Sequence, residues 1–160
     1  MKPLFIVTVA SLACVFSTAV AATPAKFISV NAPNAQKLVS SVAATHPEAK
    51  LLCLHADVPS AKVNAIIGSN DLARLGKVSS PHDLEVIGKP ALVTERADKK
   101  GVYEMKLPVN DRDGRVVGMM VEQIAVSDAK NEVDALAKAV AVRGEIEQGI
   151  LNTAWLFHKS

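Results

Sequence analysis

The side chains able to do chemistry are few. The chain holds four histidines, His46, His55, His82 and His158, and two cysteines, Cys14 and Cys53. A metal site needs ligands that converge, and no HxH, HxxxH or CxxC spacing brings them together. There is no CxxCH for covalent haem attachment. No GxSxG elbow, phosphate-binding P-loop or GxGxxG turn is present. Asp111-Arg112-Asp113-Gly114 opens like a calcium loop, but the downstream ligands are missing and Arg112 opposes a cation. Its two carboxylates read instead as turn residues that accept backbone amides. The expectation is a protein that is not an enzyme and carries no metal or cofactor.

His46 and His82 fall at helix boundaries and His158 in the tail. His55 shares one strand face with Cys53 and Asp57. That face starts apolar and ends polar, as in a strand whose far end opens into a pocket or onto solvent. The default for His55 is a satisfied core or rim histidine, and the alternative is a ligand contact. Cys53, between Leu52 and Leu54, reads as a buried, inert thiol, with a reactive one as the alternative.

The elements that would position these residues follow from periodicity. In Gly101 to Val126, Tyr103, Met105, Leu107 and Val109 alternate with Glu104, Lys106 and Pro108, which is a strand with one apolar face. Asn110 to Gly114 is a tight turn. The returning arm, Arg115 to Val126, is apolar on both parities and belongs near the middle of a sheet. Upstream, Asn31 as cap and Pro33 open a helix over Asn34 to His46, with Ala35, Leu38 and Val42 on one face. Strands are expected at Lys50–Asp57, Val63–Ser69 and Pro90–Arg96. Asn70–Ser80 is a loop with one helical turn, and Ser80, Pro81 and Asp83 start a short helix ending near Gly88. Ser127-Asp128 is expected to cap a helix from about Ala129 to Gly149, with Val133, Leu136, Ala137, Val140, Ile146 and Ile150 recurring at three- and four-residue spacing and an Asp134–Lys138 pair opposite. The tail Trp155-Leu156-Phe157 is too apolar to float and should dock on the body.

The N-terminus reads as an address. Met1-Lys2, the apolar run Leu4 to Val15, and Ala19-Val20-Ala21 fit a secretory signal cleaved before Ala22. A retained membrane anchor is the alternative, and lipidation of Cys14 a further one. Cleavage leaves residues 22–160, enough for one domain, with Cys53 alone and no internal disulfide. Eighteen Lys and Arg against sixteen Asp and Glu, scattered, give no basic stripe for nucleic acid.

The order helix, strand, strand, short helix, three strands, long helix resembles the PAS-like Cache (or PDC) extracytoplasmic sensor domains. The likeness rests on His46-Pro47 to Asp57, on Ile67-Gly68-Ser69-Asn70 with Leu75 to Ser79 and Asp83-Leu84, and on Tyr103 to Val126, including Val117-Gly118. It implies an α+β fold: a five-stranded antiparallel sheet, with an N-terminal helix, a short middle helix and a long C-terminal helix. It also implies a pocket lined by the Asn70–Ser79 loop, the end of the first strand, and the third and fourth strands. Arg74, Arg96 and Tyr103 would be its polar contacts, with His55 at the rim, because arginine clamps a carboxylate and tyrosine offers an amphipathic wall. The bland readings are a solvated charge for Arg74 and core packing for Tyr103. Met105, Met119 and Met120 read as core filler.

Family members usually sit between membrane spans and feed an output domain. This chain is expected to be free-standing: periplasmic or secreted, with no membrane span after cleavage. The first expectation is a non-enzymatic binder of small molecules, carboxylates or amino acids. The alternative is an interaction or assembly protein with a side-chain-filled pocket, docking a membrane receptor or a second copy through an apolar patch near Trp155 to Phe157. The third is an enzyme of unrecognised chemistry.

Overall fold

The computed structural model describes residues 26–88 and 93–158. The signal segment, Cys14 and the expected strand start at Pro90 to Leu92 lie outside the described residues. Five strands, β1 (Ala49–Val58), β2 (Val63–Ser69), β3 (Val93–Ala97), β4 (Val102–Asn110) and β5 (Val116–Ala125), form one antiparallel sheet in the order β2-β1-β5-β4-β3. The strand that is apolar on both parities, β5, is the central one, with a neighbour on each side and both of its faces covered. Gly114 takes the left-handed turn conformation at φ 77, and the Asp111 carboxylate accepts the amides of Asp113 and Arg115, each at 3.0 Å. This is the α+β architecture expected.

One face of the sheet carries Leu52, Leu54, Tyr103, Met105, Leu107, Met120 and Ile124, packed against α1 (Pro33–Thr45), α3 (Glu132–Gly149) and α4 (Thr153–Phe157). The tail docks as expected: Leu156 is fully buried, and Asn34 Nδ2 donates to the Trp155 carbonyl at 2.9 Å. The other face carries Leu51, Cys53, Ile66, Met119 and Val121, under Val86 of α2 (Pro81–Gly88). Ser80 and Asp83 form the reciprocal cap that starts α2: the Asp83 carboxylate accepts from Ser80 N at 2.9 Å, and Asp83 N donates to Ser80 Oγ at 3.2 Å.

Two helix starts differ from expectation. The cap position of α1 is Ala32, not Asn31, and no side chain caps it; Pro33 opens the helix. α3 starts at Glu132, because Asn131 accepts from Asp134 N at 3.0 Å, while Val126–Asp128 forms a separate 3-10 turn. The buried face of α3 is Ala135, Ala139, Val142 and Ile146, and Val133 is 75% exposed. The Asp134–Lys138 pair forms, at 3.4 Å.

The outer border of β2 is covered in part. Ile66 N donates to Lys77 O and Ser79 N to Asn64 O, each at 3.0 Å, while residues 26–28 bond in turn to residues 76–78. Gly76, at φ 77, has no room for a side chain, since a Cβ there would lie 2.0 Å from the Ile28 carbonyl oxygen.

Candidate functional site

The register of β1 against its neighbours builds the site. Leu51, Cys53 and His55 share the face under α2. A bulge in the β1–β2 pairing places Ile66 opposite His55 while Gly68 faces Leu54, and a bulge re-aims side chains in this way. Val121 and Gln123 of β5 and Glu104 and Lys106 of β4 continue the floor. Arg74, Lys77, Val78, Ser80 and Asp83 form the roof, with Lys100 at one end, and together they enclose a cavity of about 240 Å³.

Several of its polar groups are tied down. Lys106 is 7% exposed, and its ammonium lies 3.1 Å from Asp83 Oδ1 and 3.7 Å from Glu104 Oε1. A buried ammonium needs such partners. Burial raises the Asp83 carboxyl, but its bonds to Ser80 and Lys106 outweigh this and leave it below the ordinary value. Gln123 Nε2 donates to Glu104. His55, 5% exposed, sits with Nδ1 2.8 Å from Ser79 Oγ. Burial pushes its pKa down to about 4, with Lys106 and Lys77 adding to the fall and Asp83 opposing it, so the ring is neutral near pH 7. Cys53 lines the floor, 3.2 Å from Ser69 Oγ, and burial pushes its thiol up.

Four cationic side chains (Arg74, Lys77, Lys100, Lys106) therefore meet two carboxylates (Asp83, Glu104) around the cavity; both carboxylates face Lys106, Glu104 also faces Lys100 at 3.9 Å, and Arg74 has Asp71 beside it just outside the lining. The arrangement suits a small anion lying on an apolar floor. Among the described residues, no three His, Cys, Asp or Glu side chains converge as a metal site, and no helix is long and apolar enough to cross a membrane.

Of the four residues singled out in the sequence, the fold brings His55 and Arg74 to the cavity. Arg74 Nε is 3.1 Å from Asp71 Oδ2. Tyr103 is elsewhere: its parity on β4 is that of Met105 and Leu107, so it is 5% exposed in the core against the helices. Arg96 pairs with Tyr103 across β3 and β4 and lies over its ring, 5.9 Å from the centroid. The polar contacts from β4 are instead Glu104 and Lys106. Their alternation with Tyr103 and Met105 was the available signal: the polar face of β4 lies under a helix rather than under solvent.

Glu122 stands in a largely apolar stretch of β5, where no spacing marks it. It is fully buried on the helix face of β5, and neither carboxylate oxygen has a hydrogen-bond partner among the described residues. Burial pushes its pKa up to about 7, with His46 pulling down and Glu48 pushing up. His46 bridges Glu48 at 3.2 Å and Glu145 at 3.0 Å. Burial lowers the His46 pKa, but those two bonds outweigh it and hold the ring above its ordinary value.

No family model matches the chain, and no curated protein is similar to it. Among solved structures, the GAF domain from Acinetobacter phosphoenolpyruvate-protein phosphotransferase superposes with a TM-score of 0.51 at 15% identity, over 76% of this chain and 82% of that one. The GAF domain region of a Geobacter sulfurreducens PCA protein gives 0.49 at 13% identity, over 71% of this chain and 88% of that one. The periplasmic domain of RsbU from Chlamydia trachomatis gives 0.42 at 12% identity, over 65% of this chain and 38% of that one. At such identities likeness speaks to fold alone: the strand order and the first superposition make this a PAS/GAF-like fold.

Proposed function

We propose that this chain is a sensor-like, non-enzymatic binding module of the Cache type. It acts in the periplasm after loss of residues 1–21, and its ligand is a small carboxylate held in the cavity between the sheet and α2. The observation that carries this reading is the excess of cationic side chains around an open 240 Å³ cavity. A pocket filled by its own side chains would have favoured the interaction protein instead. So would a free apolar patch at the tail, but Trp155, Leu156 and Phe157 pack against the core. The volume sets the scale of the ligand: about 240 Å³ lies just below the range of sites for drug-sized molecules, so the cavity suits a small metabolite.

A thermal-shift screen of small carboxylates tests this. A ligand at about 100 times its dissociation constant adds about 2.7 kcal/mol, a shift of several degrees. Arg74→Ala and Lys77→Ala should abolish the shift, and Arg96→Ala, away from the cavity, should keep it. Absence of a shift with every carboxylate refutes the proposal.

A further inference from the structure

The hydrogen bonds beside the cavity have a direction. The Asp57 carboxylate accepts, and Asn64 Nδ2 donates to it at 2.9 Å. That orients the Asn64 amide, whose Oδ1 accepts from the Ser79 hydroxyl at 2.6 Å. With its one proton committed there, Ser79 Oγ can only accept from His55 Nδ1, 2.8 Å away. A neutral imidazole has one N–H, so the proton sits on Nδ1 and Nε2 keeps a bare lone pair. No hydrogen bond to Nε2 is formed among the described residues, in a ring that lines the cavity. A chain of four side chains from two strands and the roof thus presents a hydrogen-bond acceptor where the other polar groups are mostly donors.

The neighbours decide which donor suits that acceptor. Lys77 and Lys106 both act on His55 electrostatically, as does Asp83, and Asp83 already faces Lys106 at 3.1 Å. An ammonium brought to Nε2 would join this cationic set without a free carboxylate to meet it. A hydroxyl supplies the donor without the charge.

Resting on the reading of the cavity as a carboxylate site, we propose that its ligand is a small hydroxy-carboxylate. The carboxylate lies toward Arg74 and Lys77, and the hydroxyl donates to His55 Nε2. His55 is then the residue that selects the hydroxyl, and Ser79, Asn64 and Asp57 hold it in the tautomer that can.

The test compares lactate, propanoate and alanine by calorimetry on the purified full chain. Lactate should bind at least about tenfold more tightly than propanoate, because propanoate shuts water away from the Nε2 acceptor without replacing its hydrogen bond, and alanine should bind more weakly than lactate. His55→Leu should abolish the preference, lactate and propanoate then binding within about twofold of each other, because the acceptor that lactate satisfies and propanoate does not is gone. Should His55→Leu fail to fold, Ser79→Ala frees the ring to take the other tautomer and should narrow the same ratio. Long-range proton–nitrogen NMR of the free protein should show the proton on Nδ1. Equal binding of lactate and propanoate, tighter binding of alanine, or a proton on Nε2 overturns the inference and leaves the carboxylate site standing. Failure of all three ligands together with the wider carboxylate screen overturns both.

Discussion

Glu122→Gln isolates the energetic effect of a carboxyl buried without a partner. Glu122 has a pKa near 7 in the fold against 4.5 in the unfolded chain. At pH 5 the folded protein holds a proton that the unfolded chain has mostly released; at pH 8 neither holds it. A raised pKa therefore contributes stability that is lost as pH rises, about 2.5 kcal/mol between pH 5 and pH 8 by linkage. His55 has the opposite sign. Its pKa is about 4 in the fold against 6.5, so the unfolded chain takes up a proton first as pH falls, and over the same interval rising pH adds about 2 kcal/mol. In the natural protein the two slopes nearly cancel. His46, raised by its bonds to Glu145 and Glu48, adds a fall with rising pH that protein and variant largely share, since both partners remain in the variant. In Glu122→Gln the His55 slope stands uncovered. Relative to the natural protein the variant should gain about 2.5 kcal/mol from pH 5 to pH 8, a change of about 1 M in urea midpoint difference at a typical dependence near 2 kcal/mol per molar. Urea unfolding followed by the fluorescence of Trp155 at pH 5, 6, 7 and 8 reads it. A midpoint difference that does not change with pH would refute the reasoning.

Three further substitutions or probes address the frame. Gly118→Ala places a Cβ 1.9 Å from the His55 carbonyl oxygen, so β1 and β5 must part; a loss of about 2 kcal/mol or more is expected in urea unfolding, and a neutral outcome would contradict the close approach. Asn131→Ala removes the side chain that accepts from Asp134 N and should cost about 1 kcal/mol, restored by Asn131→Asp. Cys53, 1% exposed with its thiol pushed up by burial, should resist a thiol reagent at pH 8 in the native protein and react fully in urea; rapid native labelling would show the floor of the cavity to be open.

Much of the fold was legible because the hairpin and the first strand carry clean period-two patterns. β2 falls at its expected residues, and the central place of β5 followed from its two apolar parities. The start of α3 was not legible, since Ser127-Asp128 and Asn131 are both acceptable caps and only the packing of Ala135 and Ala139 decides between them. At the site, periodicity shows which residues share a face but not what covers that face. The chemistry of Tyr103 suits a pocket wall, but its parity is that of the buried residues of β4, and parity decides its face. Lys106 and Glu104 were passed over because charged residues on a strand are ordinarily solvated, and the helix that removes them from solvent is about twenty residues upstream. The direction of the Asp57–Asn64–Ser79–His55 chain depends on a contact between β2 and the roof that no local spacing encodes.

The covered border of β2 gives the first described residues a protective role. An exposed strand edge is a template for pairing with another chain. Here the loop at residues 76–78 lies along that border, and the lead at residues 26–28 lies along the loop. The lead is held by few bonds, with Phe27 54% exposed, so its hold is shallow and comes from the chain just after the expected cleavage point. Trimming to residue 32 would strip this outer layer and, with Ile28 and Val30, a little of the packing at the margin of the core, but none of the strands. The remaining border would be guarded by the loop alone, and the cost would appear as self-association before it appeared as unfolding.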